Sequence, residues 1–511
     1  MQNYLGIDIG TSGCKAVVFD DSGNPLAASY RDYNIISKHP GWAELDTDEV
    51  MAKCFDVIRD ASAAAGPGSV KGIGISSQGE AFTLVDKEGR ALCNALVSSD
   101  IRANDLIAPW TEEFGGAKLY NITGHTPHPM FSLFKLLWVR RNDPETWSGA
   151  ERILCFEDLL QYRLGIANPS MGWSLAGRTM LFDVVAHRWD RAILDRIGLD
   201  AGKLSSPLMS GSLAGYVAGD VAKSLNLSAG TFVVTGGHDQ PCSGLGAGAV
   251  DPGVAVYSSG TVECITPAFG RPVFTDELRR SNLCTYDHAA PGMYATVAFS
   301  LTGGNILKWF RDQFGLAEKE EAKRLKCDPY ELLMNELPGE PSRLMVLPYF
   351  TPSGTPYFDV DVKGAILGLD MSVTRMEILR ALLEGVAFEI KLNLAILKQS
   401  GYEVKELRMI GGGSKSLKHV QLKADVAGMP ITIMDVAEAG CMGVAMLAKA
   451  HHDKTDVKDI ARKWVKPVSV VNPEKHAHYN AKFQQYRGLY HTLRSFYLNS
   501  AASHGMQVDG L

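Results

Sequence analysis

Apolar runs broken by glycine-rich turns mark the chain from its first residues. Positions 4–9 and 15–20 are two such runs, joined by Gly10-Thr11-Ser12-Gly13-Cys14, and Asp21-Ser22-Gly23 supplies the next turn. That spacing predicts a β-hairpin with the chain continuing toward a third strand. Asp46 and Glu49 form an N-cap and N3 pair ahead of periodic apolar positions over 50–58, so a helix should begin near Asp46. Strands are expected again at 70–76 and 82–85, and helical periodicity over about 103–164. A strand ending in glycines is expected at 233–237, followed by a helix from Pro241.

The second half restarts the pattern. Gly253-Val-Ala-Val-Tyr-Ser-Ser-Gly260-Thr261-Val-Glu-Cys-Ile reads as strand, Gly-Thr turn, strand, an internal echo of the first hairpin. A third glycine-rich turn, Gly411-Gly412-Gly413-Ser414-Lys415-Ser416, follows an apolar run at 407–410 and opens a helix over 417–427. Strands alternating with helices imply an α/β architecture. With 511 residues, two domains are expected, 1–250 and 251–511.

Composition narrows the class. Net charge is −6 with no long basic block, which removes the electrostatic basis for a nucleic-acid partner or an anionic membrane surface. No apolar run approaches the roughly 20 residues that span a bilayer. The nine cysteines are odd in number and contain no CxxC. They read as reduced thiols of a cytoplasmic protein.

Glycine turns after strands suit phosphate, because backbone N–H groups can approach the anion closely. Three are present, around Gly10, Gly260 and Gly412, and two carry threonine at the same place (Thr11 and Thr261). Neither a Walker A motif nor GxGxxG occurs. Asp8 interrupts an apolar strand just before the first turn, where a carboxylate must be paired or hold a cation such as Mg²⁺. Asp239-Gln240 follows the glycine-ended strand, a usual position for catalytic groups in α/β folds, though an ordinary helix cap would look the same. Gln78-Gly79-Glu80 and Asp100-Ile101-Arg102 carry groups that suit a polyol, as surface loops also can. The spacings of His125/His128 and His476/His478 do not form a metal site.

These residues resemble the FGGY carbohydrate kinases over nearly the whole chain. The first family signature is matched by Met130-Phe-Ser-Leu-Phe-Lys135-Leu-Leu-Trp138-Val-Arg-Arg-Asn142. The second resembles Gly364-Ala-Ile-Leu-Gly368-Leu369 with Glu377-Ile-Leu-Arg-Ala381-Leu382-Leu-Glu384, departing at Leu382. Gly41-Trp42-Ala43-Glu44 and Glu438-Ala439-Gly-Cys-Met-Gly443 match two further family segments.

The resemblance implies two RNase H-like domains of the actin/hexokinase type flanking a deep cleft, and transfer of the ATP γ-phosphoryl to a sugar or polyol hydroxyl. It implies Asp239 as catalytic base and Asp8 with Asp239 at Mg²⁺. Gly10, Thr11, Ser12, Gly260 and Thr261 would meet the ATP phosphates. Gly304 and Lys308 would lie along the nucleotide, and Gly412, Gly413 and Ser416 beside adenosine. Gln78, Glu80, Asp100, Arg102, Asp239 and Gln240 would hold the substrate, and a homodimer is among the assemblies allowed.

Gly79 and Met130 stand where glycerol kinases carry a substrate-binding arginine and tyrosine. The expectation is therefore a larger, less cationic sugar end that takes a four- to six-carbon ketose or polyol, xylulose first. Glycerol kinase-like activity is one alternative. The other is a non-enzymatic ATPase switch like actin or the Hsp70 chaperones, which would use the phosphate turns but not the two signatures.

Overall fold

The structure, a computed structural model, describes residues 2–504. The first hairpin forms as its spacing predicts. Asn3–Ile9 pairs antiparallel with Gly13–Phe19, closing at Ile9 opposite Cys14, and Gly13–Phe19 pairs with Pro25–Asp32. On its other side Asn3–Ile9 runs parallel to Val70–Ser77, which runs parallel to Phe232–His238. Leu213–Tyr216 completes a six-stranded sheet. Helix Thr47–Ala64 links the third strand to Val70–Ser77. The Asp46 carboxylate accepts from the N–H groups of Asp48 and Glu49, and the helix buries Val50, Met51, Cys54, Val57, Ile58 and Ala61 on its inner face.

The eight-stranded second sheet repeats this plan. Val254–Ser259 pairs antiparallel with Glu263–Phe269, which takes Ala298–Ser300 on its far side. Val254–Ser259 also runs parallel to Glu406–Ile410, then come Ile431–Met434 and antiparallel Pro467–Val471. The echo between the halves is thus a repeat of topology.

Two boundaries differ from the periodicity. The 103–164 stretch divides into separate helices, interrupted by the strand Arg152–Cys155, which pairs with Phe82–Val85. The helix expected from Pro241 begins at Asp239, since a proline in the first turn lacks only an N–H that has no helical partner. Among the described residues no helix is long and apolar enough to cross a membrane, and no cysteine is in a disulfide.

Helix Ala439–Asp453 joins the two halves. It lies against Asn3–Ile9 and Val70–Ser77 and crosses helix Asp239–Gly246. Glycines make the approach possible: a Cβ at Gly6 would overlap the Cys441 carbonyl, one at Gly74 that of Val444, one at Gly246 that of Ala439 and one at Gly443 that of Cys242. The obstructing atoms are backbone, so no rotamer change relieves the clash. Gly443→Val should therefore destabilise the fold by about 1–3 kcal/mol or more. Thermal denaturation checks this, and an unchanged Tm would contradict the packing described.

Candidate active site

Register brings two carboxylates to one sheet edge. Asp8 lies beside Ser76, and Ser76 beside Gly237, so Asp8 and Asp239 flank the C-terminal end of the intervening strand Val70–Ser77. Ser76 Oγ donates to Asp8 Oδ1 at 2.7 Å. Burial pushes the Asp8 carboxyl above its ordinary range, and the charge of Glu438 adds to this. Asp239 is pushed up to about 7 by burial and by the charges of Asp8 and Glu80, against the opposing pull of Gln240 and Arg178. Its Oδ1 is buried and accepts no hydrogen bond among the described residues. His238 Nε2 lies 3.2 Å from that oxygen, off the line of a good hydrogen bond. The other ring nitrogen of His238, Nδ1, is 2.9 Å from the Tyr286 hydroxyl, and burial together with the charge of Arg178 holds the ring neutral.

The residues expected to hold substrate separate into two groups. Glu80 and Gln240 stand with Asp239. Gln78 is engaged with the first phosphate turn, accepting from Thr11 Oγ1 at 3.2 Å and donating to the Gly10 carbonyl at 2.9 Å. Asp100 is fully buried, accepting from the Ala43 N–H at 2.7 Å and pairing with Arg102. Arg102 also bridges to Glu44 at 2.7 Å and lies 3.8 Å over the Trp42 ring and 4.9 Å over Trp138. Gln78, Asp100 and Arg102 thus brace the turn and the Trp42 segment, because their polar atoms are already committed there.

Arg178 escaped the sequence reading, and it brings a guanidinium, paired with Glu80, beside Gly79. It follows the short helix Trp173–Gly177 and forms a nearly buried ion pair with Glu80. Its guanidinium lies 5.0 Å over Phe131 and 5.7 Å over Tyr286, and Nη2 is 3.9 Å from Met130 Sδ. A Cβ on Gly79 would sit 2.9 Å from His238 Nε2 and 3.3 Å from Arg178 Nε. The cation missing at position 79 is thus supplied from a segment about a hundred residues away. An arginine directly after the buried stretch Ser174-Leu175-Ala176-Gly177 was the available signal.

The glycine turns occupy equivalent places in the two sheets. Gly10 N–H donates to the Gly13 carbonyl at 2.9 Å and Gly260 N–H to Val262 at 3.1 Å. Ser12, Gly260 and Thr261 are exposed. Gly304 opens the helix Gly304–Phe314 with its N–H 2.8 Å from the Gly260 carbonyl, an approach that a Cβ would block. Lys308 is exposed on the first turns of that helix. Gly411 has φ of +90°, in the region that favours glycine. Gly413 packs on Ser259, which bonds the buried Lys423–Glu263 pair at 2.9 and 2.8 Å. Ser416 caps helix Leu417–Ala427.

Sequence families match both halves. The model for the N-terminal domain of the FGGY family of carbohydrate kinases covers residues 3–246, and that for its C-terminal domain residues 255–451. The chain belongs to the FGGY family of carbohydrate kinases. Xylulose kinase of Staphylococcus epidermidis is 28% identical over 95% of this chain and 96% of its own length. Glycerol kinase of Methylibium petroleiphilum is 30% identical over 88% and 90%. In three dimensions the xyloylose kinase of Brucella ovis, 28% identical, aligns with a TM-score of 0.86 over 97% of this chain and all of that one. This FGGY protein is accordingly an ATP-dependent sugar or polyol phosphotransferase, with the mixed α/β two-domain fold of FGGY kinases.

A Cβ at Gly412 meets no atom within 4 Å, in contrast to those at Gly411 and Gly413. The first side-chain carbon there thus meets open space and not the protein's own atoms. Gly412→Val should keep the wild-type Tm and raise KM for ATP at least about tenfold, as expected from losing the close backbone approach. Steady-state kinetics with ATP varied check this. An unmoved KM for ATP would make the turn a plain helix start.

Proposed function

We propose that this kinase phosphorylates a hydroxyl of a four- to six-carbon ketose or polyol, with xylulose the first candidate, and that Asp239 is its general base. The buried, unpartnered Oδ1 of Asp239, beside Asp8 and Glu80, carries this reading. A carboxylate without a donor on one oxygen is poised to accept the proton of an attacking hydroxyl, and a pKa near neutrality suits a base.

In this reading the Gly10-Thr11 and Gly260-Thr261 turns receive the ATP phosphates through backbone N–H groups, and Gly412 and Gly413 border adenosine. The hydroxyl attacks the γ-phosphorus in line with the departing ADP oxygen as its proton passes to Asp239. Hard carboxylate oxygens at Asp8 and Asp239, both destabilised as anions, fit Mg²⁺ held jointly with phosphates. Among the described residues no group of three or more His, Cys, Asp or Glu could hold a metal by itself. When bound, Mg²⁺ would offset the charge that develops on the phosphoryl oxygens.

Size preference follows from the polar groups a substrate can reach. A three-carbon substrate that fails to reach Glu80 and Gln240 forgoes the hydrogen bonds a longer one can make there, at about 1–3 kcal/mol each. The best four- to six-carbon substrate should exceed glycerol in kcat/KM by at least about 100-fold. A panel of glycerol, erythritol, xylitol, xylulose, ribulose and fructose tests this, and glycerol as the best substrate would sink the proposal.

The base role has its own test. Asp239→Asn should lower kcat by about 10²–10⁴-fold with ATP binding retained. In the wild type Asp239 must be ionised to act, so kcat/KM for the sugar should rise with pH through about 7. A mutant that keeps more than about a tenth of wild-type kcat would remove Asp239 from the role.

A further inference from the structure

The Arg178–Glu80 pair lies beside Gly79 and near Asp239 without being fully closed off. Arg178 is 10% exposed at its side chain and Glu80 3%. Arg178 Nε and Nη2 both face Glu80 Oε1, while Nη1 has no hydrogen-bond partner among the described residues. The guanidinium cannot swing away. Phe131 and Tyr286 flank it, and its backbone N–H is tied to Leu175 at 2.9 Å. Glu80, with φ of +61°, is held through its carbonyl, which accepts from Ser132 Oγ at 3.0 Å. That serine belongs to the Met130–Asn142 signature, so the segment that marks the family also fixes this pair.

Charge around the pair is lopsided. Arg178 is opposed by Glu80 and, within electrostatic reach, by Asp239, which itself feels Asp8. The histidines nearby add no positive charge. His125 and His128 are held neutral by burial and by Arg178 itself, and His238 Nδ1 faces the Tyr286 hydroxyl at 2.9 Å. Among the described residues the nearby cations are engaged, Arg178 by Glu80 and the buried Lys135 by the carbonyls of Leu96 and Val97, so an additional anion would meet carboxylates with no free positive partner.

We propose that Arg178, seated in the space that Gly79 leaves and neutralised by Glu80, donates hydrogen bonds to the sugar's hydroxyls, while the surplus carboxylates Glu80, Asp239 and Asp8 make the site select uncharged sugars over sugar acids. Gly79 is part of the device, since a side chain there would crowd both His238 and Arg178. The planar guanidinium can serve Glu80 and a sugar oxygen at once, which an ammonium cannot do with the same geometry. This rests on the substrate class proposed above.

The test compares wild type, Arg178→Met and Arg178→Lys by ADP release. Each is assayed with neutral ketoses and polyols and with sugar acids of matched length such as gluconate, and Tm is measured alongside. The wild type should favour its best neutral substrate over the matched acid by at least about 100-fold, two charge-assisted contacts' worth. Arg178→Met should raise KM for the sugar about 10- to 100-fold with KM for ATP within about twofold. Arg178→Lys, which keeps the charge opposite Glu80, should fall between. If Arg178→Met does not fold, Arg178→Lys decides, and an unmoved sugar KM overturns the proposal. A sugar acid as best substrate overturns it too. Absence of phosphorylation of any sugar sinks this proposal together with the substrate reading, whereas phosphorylation with an unmoved sugar KM sinks this one alone.

Discussion

The contact on which the molecule depends is the backbone-to-backbone approach of helix Ala439–Asp453 to the first sheet and to helix Asp239–Gly246. It exists because Gly6, Gly74, Gly246 and Gly443 present no Cβ to the carbonyls they face. Side chains from both halves, among them Tyr4, Phe19, Val234, Leu245, Ile410, Val444 and Leu447, then share one apolar cluster. The same helix sets its second residue, Gly440, so that a Cβ there would be 3.0 Å from the Asp8 carboxyl. The close packing that joins the two halves thus also forms one wall of the catalytic edge. The Lys15–Glu438 bridge at 2.6 Å crosses the same seam, but both side chains are about a third exposed, and the apolar contact is the stronger tie.

Around that seam the fold accepts an electrostatic penalty. Asp8 and Glu80 stand near Asp239 in largely dry surroundings, and their charges make its ionisation harder. Arg178 answers part of this charge, and the glycine turns of the two hairpins leave Ser12, Gly260 and Thr261 exposed. A site loaded in this way favours whatever supplies positive charge or gives up a proton to it, which is the situation of a nucleotide with its metal beside a sugar hydroxyl.

Much of this was legible from the sequence because it is local. The hairpins at Gly10 and Gly260 and the Asp46 cap are encoded within a few residues, and the topological repeat shows as a Gly-Thr echo. Asp8 stood out as a carboxylate in an apolar strand. What could not be read depends on contacts between distant segments. Arg178 meets Glu80 across 98 positions and His238 meets Tyr286 across 48. Asp100 and Arg102 look like free polar groups in the sequence, yet they are consumed by Ala43, Glu44 and Trp42. The guanidinium beside Gly79 was hidden for the same reason, since charge at a site is counted over the fold and not along one motif.

The central claim is that this site passes a phosphoryl group to a carbohydrate hydroxyl rather than to water. Following the fate of label from ATP carrying a labelled γ-phosphate, with and without a neutral four- to six-carbon sugar, tests it most directly. The account predicts label recovered in a sugar phosphate ester and ADP formation strongly stimulated by that sugar. Label recovered only as inorganic phosphate, at the same rate whether or not any sugar is present, would contradict it.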